Sequence, residues 1–268
     1  MLQQRIHDSL TSGILYVSNM GLTILPELPV NLRELYCDGN MLRVLSTLPE
    51  SLVSLYCHHN TLTELPALPV NITELNCSNN DIVVLPTLPN ELQILDCSIN
   101  RLEVLPELPN SLQTLHCYNN SLTTIRNLPD SIRVLDISHN HLIRLPNLPV
   151  SLQKLNISNN VLNDIPNWPP GFQNQQLHSY DIQNNPFTDT FSEIIKKKGF
   201  LKGIRIYHEN ARKASVRAIG RNIMGLTYAS IHKDISTDSL SIISSYLTGE
   251  IVDWEKRIPN LKKKLSYV

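Results

Sequence analysis

The sequence is poor in glycine, with 9 in 268 residues. Phosphate-cradling loops need clustered glycines so that backbone N–H groups can approach the ligand, and no such cluster is present. HExxH and GxSxG signatures are also missing, so the chain offers no familiar zinc-hydrolase or serine-hydrolase motif. No apolar run approaches the roughly 18 residues of a membrane span. The opening "MLQQRIHDSLTSGIL" lacks a basic stretch followed by an apolar one, so no secretory signal is expected. No cysteine follows Cys117. The five present (Cys37, Cys57, Cys77, Cys97 and Cys117) are spaced 20 apart without any CxxC. An odd set of thiols in this pattern fits a reducing compartment.

What the chain does have is repetition. A phrase L-x-x-L-x-[C/I]-x-x-N-x-L-x-x-L-P-x-L-P-x-[S/N] recurs with a period of 20. The first Leu slot runs from Leu32 through Leu52, Ile72, Leu92, Leu112 and Ile132 to Leu152. The Asn slot runs from Asn40 to Asn160 in the same seven copies, with no insertion. A degenerate copy precedes them (Leu15, Val17, Leu22, Leu25). Another follows a five-residue insertion (Tyr180, Ile182, Asn185, Phe187). Atypical end copies are what a stacked array requires.

One copy cannot bury its own apolar residues, so the copies are expected to stack and share a core. The template resembles the leucine-rich repeat. It implies an α/β solenoid of about nine repeats, with one short strand per copy forming a parallel sheet on the concave face. Nine strands at about 4.8 Å give a sheet roughly 40 Å wide. The Asn is expected to turn inward and bond backbone groups that the bend would otherwise orphan. The "LPxLP" segments predict an extended, polyproline-like convex side, because proline fixes φ and has no N–H. The cysteine slot accepts isoleucine in the next copies (Ile137, Ile157), so it reads as a core slot.

Charge divides the chain. Residues 1–185 carry 8 basic and 16 acidic side chains, and residues 186–268 carry 15 and 8. The predicted domains follow this split: a solenoid with a short N-terminal cap over 1–185, and a basic α-helical C-terminal cap over 186–268. "FTDTFSEIIKKKGF" predicts a helix with Thr188 or Asp189 as N-cap and Gly199 as stop. Three further helical stretches follow in "IYHENARKASVRAIGRNIMGLTYASI", "STDSLSIISSYLTG" and "EIVDWEKRIPNLKKKLSYV". The lysine clusters 196–198 and 262–264 read as solvated faces, and nucleic acid is not an expected partner.

The phrase LPxLPxSLxxLxxxxNxLxxLP, over about residues 12–170, resembles the repeats of the leucine-rich-repeat effectors that pathogenic bacteria inject into host cells, the YopM and IpaH class. Cysteine stands here where that class has Leu, Val or Ile. The IpaH members carry a C-terminal ubiquitin-ligase domain with a catalytic cysteine. No cysteine follows Cys117, and about 80 residues follow the repeats, so that activity is not carried over. The resemblance implies a non-enzymatic scaffold, passing from the bacterial cytoplasm to the host cytosol. Its partner is then a host protein or another bacterial effector.

Strand residues alternating with the core slots face the concave surface. The central column reads Tyr16, Tyr36, Tyr56, Asn76, Asp96, His116, Asp136, Asn156, Asp181. The column after it begins Ser18, Asp38, His58, Ser78, Ser98, Tyr118, Ser138, Ser158. The column before it begins Ile14, Glu34, Ser54, Glu74. All three are expected at the surface. Tyrosine is favoured at interfaces for its rigid area and polar tip. The partner-binding set is therefore Tyr16, Glu34, Tyr36, Asp38, Tyr56, His58, Asp96, His116, Tyr118 and Asp136. Asp96, His116 and Asp136 are adjacent, and an Asp–His pair can serve acid–base chemistry or a metal. No nucleophile or oxyanion donor accompanies them, and an open sheet excludes water poorly. A contact patch is the better reading, with mild pH dependence through His116; no catalytic residue, metal ligand or cofactor is assigned. The function expected is blocking or modulating a folded partner. The alternative is an adaptor whose helical tail recruits host machinery such as a ubiquitin ligase.

Overall fold

The computed structural model describes residues 2–165, 177–187 and 189–198, with 202, 203 and 210. Nine strands form one parallel sheet in chain order. They are β1 (Ile14–Tyr16), β2 (Glu34–Tyr36), β3 (Ser54–Tyr56), β4 (Glu74–Asn76), β5 (Ile94–Asp96), β6 (Thr114–His116), β7 (Val134–Asp136), β8 (Lys154–Asn156) and β9 (Ser179–Asp181). The register steps by one repeat: Leu15 pairs Leu35, which pairs Leu55, and so on to Leu155 against Tyr180. The five extra residues before β9 leave its pairing intact. The described elements all belong to the compact unit Met1–His208; a second unit spans Glu209–Val268.

The repeated apolar letters build one continuous core. Both strand-side Leu slots are buried, and Cys37, Cys57, Cys77, Cys97 and Cys117 have no exposed surface, like Ile137 and Ile157 in the same slot. All five thiols are free. Burial pushes the Cys37 thiol up to about 12, with the Asp38 charge adding to it. Cys57 and Cys77 are pushed up for the same leading reason, and Cys97 first by its bond with Cys117. The "LPxLP" segments form neither helix nor strand. Each ends in a turn bond such as Leu52 N–H to Pro49 C=O at 3.0 Å.

The repeated Asn joins each copy to the one before. The Asn120 amide donates to Cys97 O at 3.1 Å and to Cys117 O at 3.2 Å, while its Oδ1 accepts from Leu102 N–H at 2.9 Å. The same pattern runs from Asn40 to Asn185. The [S/N] slot makes a second ladder on the other side of the strands. Ser51 Oγ donates to Val30 O and Leu32 O, and Ser111 and Ser151 repeat this.

The sequence reading missed two features. The residue before the Asn slot, which Met20 fills in the first copy, is left-handed: Asn19, Gly39, His59, Asn79, Ile99, Asn119, His139, Asn159 and Asn184 all have positive φ. At Gly39 an added Cβ would meet the end of the Asn19 side chain, which would have to turn aside. Ile99 at φ 52 is the costly member, because a β-branched side chain is crowded in this region. The second miss is α1 (Leu2–Ser12), which covers the free edge of β1. Leu2 and Ile6 pack on the core at a spacing of four, and Arg5 donates to Tyr16 O at 2.7 Å. Gly13 ends the helix at φ 71, its N–H bonded to Ser9 O at 2.9 Å. At the other end α2 (Asp189–Lys198) matches the helix expected there. Its Phe191 is fully buried and joins the core. Apart from Asn210, the three later helical stretches lie outside the described residues.

Two outcomes follow from the stack. Asn120→Ala removes four hydrogen bonds and orphans buried backbone groups, so denaturant melts should show a loss of about 2–4 kcal/mol. The five thiols should resist a soluble disulfide reagent at neutral pH in the native protein, and all should react once it is unfolded. Prompt labelling of the native thiols would contradict their place in the core.

Candidate protein-binding surface

The parallel register places the predicted central column as expected, with Tyr16, Tyr36 and Tyr56 on β1 to β3 and Asp96, His116 and Asp136 on β5 to β7. Of the ten candidate residues, Tyr16 is exposed and the other nine are half-buried. They are open enough to be touched and packed enough to be held.

The tyrosines form a stack. Tyr16 and Tyr36 have ring centroids 4.6 Å apart at 21°, and Tyr36 and Tyr56 are 4.6 Å apart at 7°. The strand spacing imposes this arrangement, since rings in register on adjacent parallel strands stand about 4.8 Å apart. Two hydroxyls are tied down: Tyr36 donates to Glu34 Oε2 at 3.0 Å, and Tyr56 donates to Glu74. Glu74 belongs to this site although it was not among the ten candidates. Its place opposite Ser54 and next to a tyrosine column was the available signal.

Beside the stack, Ser18 donates to Asp38 Oδ1 at 2.5 Å, and Asp38 Oδ2 lies 3.8 Å from His58 Nε2. His58 and His59 meet edge to face at 5.4 Å. His58 Nδ1 is buried and has no hydrogen-bond partner among the described residues.

The Asp–His column behaves differently from its sequence order. Asp96 and Asp136 each accept from the backbone N–H two residues on, at 3.0 Å. Asp136 also takes the Ser138 hydroxyl at 2.6 Å and the Asn156 amide at 3.0 Å. Among the described residues neither aspartate bonds His116. Local backbone geometry outcompetes the cross-strand pair, because a short Asp side chain reaches its own chain more easily. The same local bonds correct the expectation that the whole following column is surface. Ser98, Ser138 and Ser158 are buried, while Asp38, His58 and Tyr118 in that column remain partly open. Among the described residues, no three His, Cys, Asp or Glu side chains are placed to hold a metal ion, and no helix is long and apolar enough to cross a membrane.

Electrostatics at the stack run in one direction. The Tyr36 hydroxyl is pushed up to about 12, first by burial, then by its bond to Glu34 and by the charges around it. Tyr56 is also pushed up, by burial first and then by Glu74. Tyr118 rises through burial, then through Asp96 and Asp136.

Comparison with known proteins agrees with this geometry. The family described as "Leucine Rich Repeat" matches residues 151–173. YopM from Yersinia enterocolitica WA-314 is similar at 32% identity and a TM-score of 0.55, over 69% of this chain and 50% of that one. A Shigella effector leucine-rich-repeat domain is similar at 27% identity and 0.53, over 73% and 80%. The functional domain of InlJ from Listeria monocytogenes, which includes a cysteine ladder, is similar at 27% and 0.52, over 66% and 40%. This chain thus spans half the length of the Yersinia enterocolitica protein. No curated protein matches the sequence significantly. The solenoid is a leucine-rich-repeat array, structurally similar to YopM and to a Shigella effector domain.

The folded protein holds the Tyr36 proton more tightly than the unfolded chain, whose value is near the usual 10.0. The associated stability is intact below that pH and falls as pH rises toward about 12. Ultraviolet phenolate titration should show late-ionising tyrosines, and Glu34→Gln should bring Tyr36 back toward its usual value. Simultaneous ionisation of all tyrosines at the usual pH in the folded protein would contradict the assignment.

Proposed function

We propose that this chain is a non-enzymatic binding scaffold that engages a folded protein on its concave face and blocks or modulates that partner. The observation that carries this reading is the stacked tyrosine ladder, two of its hydroxyls held by carboxylates. Rigid aromatic surface loses little entropy on binding, and its polar tips give specificity. A curved parallel sheet presents such residues to a partner over several strands at once. The similarity to YopM and to a Shigella effector domain supports a bacterial effector that works inside the host cell. The partner is then a host protein or a co-secreted bacterial one.

Affinity capture with the full chain, from host lysate and from the bacterium, followed by mass spectrometry, identifies the partner. Tyr36→Ala with Tyr56→Ala should then weaken capture of that protein by about tenfold or more, the usual effect of removing interface anchors. Equal recovery by the double variant would remove the tyrosine ladder from the interface.

A further inference from the structure

We propose that the tyrosine stack and its two glutamates seat an arginine-bearing basic segment of the partner protein, a refinement that rests on the concave-face reading above. Glu34 and Glu74 stand in one column two strands apart, with Ser54 between them. At sheet spacing the gap is about 10 Å. One oxygen of each carboxylate is taken by a tyrosine hydroxyl, Tyr36 for Glu34 and Tyr56 for Glu74. Among the described residues the second oxygen of each has no partner. The carboxylates are therefore oriented in advance and keep acceptor capacity toward the concave side.

Among the described residues neither glutamate has an ion-pair partner. In the three concave columns of β1 to β7 stand five carboxylates and no lysine or arginine; the first basic side chain is Lys154 on β8. Ser54, the small residue between the two glutamates in that column, leaves a spot bordered by a carboxylate on either side. A guanidinium suits that spot. Its planar fork reaches a carboxylate on either side, and it is less strongly hydrated than an ammonium. Tyr16 ends the stack with 53% of its surface exposed, leaving ring area for cation contact.

The test titrates octa-arginine peptide into the full chain by calorimetry. Glu34→Gln with Glu74→Gln keeps an acceptor for each tyrosine, so the stack stays in place, and should weaken binding by about tenfold or more. The charge-matched control Glu103→Gln with Glu107→Gln, exposed positions before and within an "LPxLP" segment, should stay within about twofold. Octa-lysine should bind more weakly than octa-arginine. Absence of octa-arginine binding, equal loss in both double variants, or equal affinity for the two peptides overturns the assignment. The concave-face reading is scored separately, by partner capture with the tyrosine variant. Retained partner dependence on Tyr36 and Tyr56 with no octa-arginine binding would sink only the arginine assignment.

Discussion

One side-chain amide satisfying the backbone of two successive copies is the constraint on which the solenoid depends. Each Asn from Asn40 to Asn185 donates to its own copy and to the copy before, and accepts from that earlier copy's Leu or Ile N–H. Without it, the turn after every strand would bury unpaired donors and acceptors, each costing about 1–3 kcal/mol. The residue just before the Asn is left-handed in every copy from Gly39 to Asn184, and that sharp reversal accompanies the inward turn of the amide. Apolar packing supplies the larger share of the stabilisation, but the amide sets the phase in which copies stack.

That phase has a consequence for the surface. A fixed 20-residue register turns letters that vary between copies into straight columns across the sheet. Residues far apart in sequence become neighbours at strand spacing, so three tyrosines become one stack. The anionic character of the concave face arises in the same way, from carboxylates contributed by β4, β5, β7 and the repeat of β2. Such a face has shape and charge before any partner arrives.

Much of this was legible in the sequence. The apolar slots, the parallel strands, the buried cysteines and the order of the concave columns follow from period and alternation alone. Three things were not. The helix α1 has only a weak periodic signal, Leu2 and Ile6 with Gly13 as a stop, and lies outside the repeat that drew attention. The pairing of Glu74 with Tyr56 runs between columns, and alternation says which face a side chain takes but not which neighbour it reaches. Asp96 and Asp136 suggested a cluster with His116, yet both turn to their own backbone. Competition between local and cross-strand bonds is decided by side-chain length and geometry that spacing does not encode.

The sequence by itself determined the architecture, because a strict repeat admits one efficient way to bury its leucines and satisfy its asparagines. It also determined which residues share the concave face, since strand alternation leaves no choice of side. Only the tertiary structure decided what those residues do together. The tyrosines stack and bind two glutamates, and Ser98, Ser138 and Ser158 after the central column sink beneath the surface. The physical reason is range: periodicity is carried by the backbone and can be read along the chain. Hydrogen bonds between side chains 18 or 20 residues apart exist only once the copies are stacked.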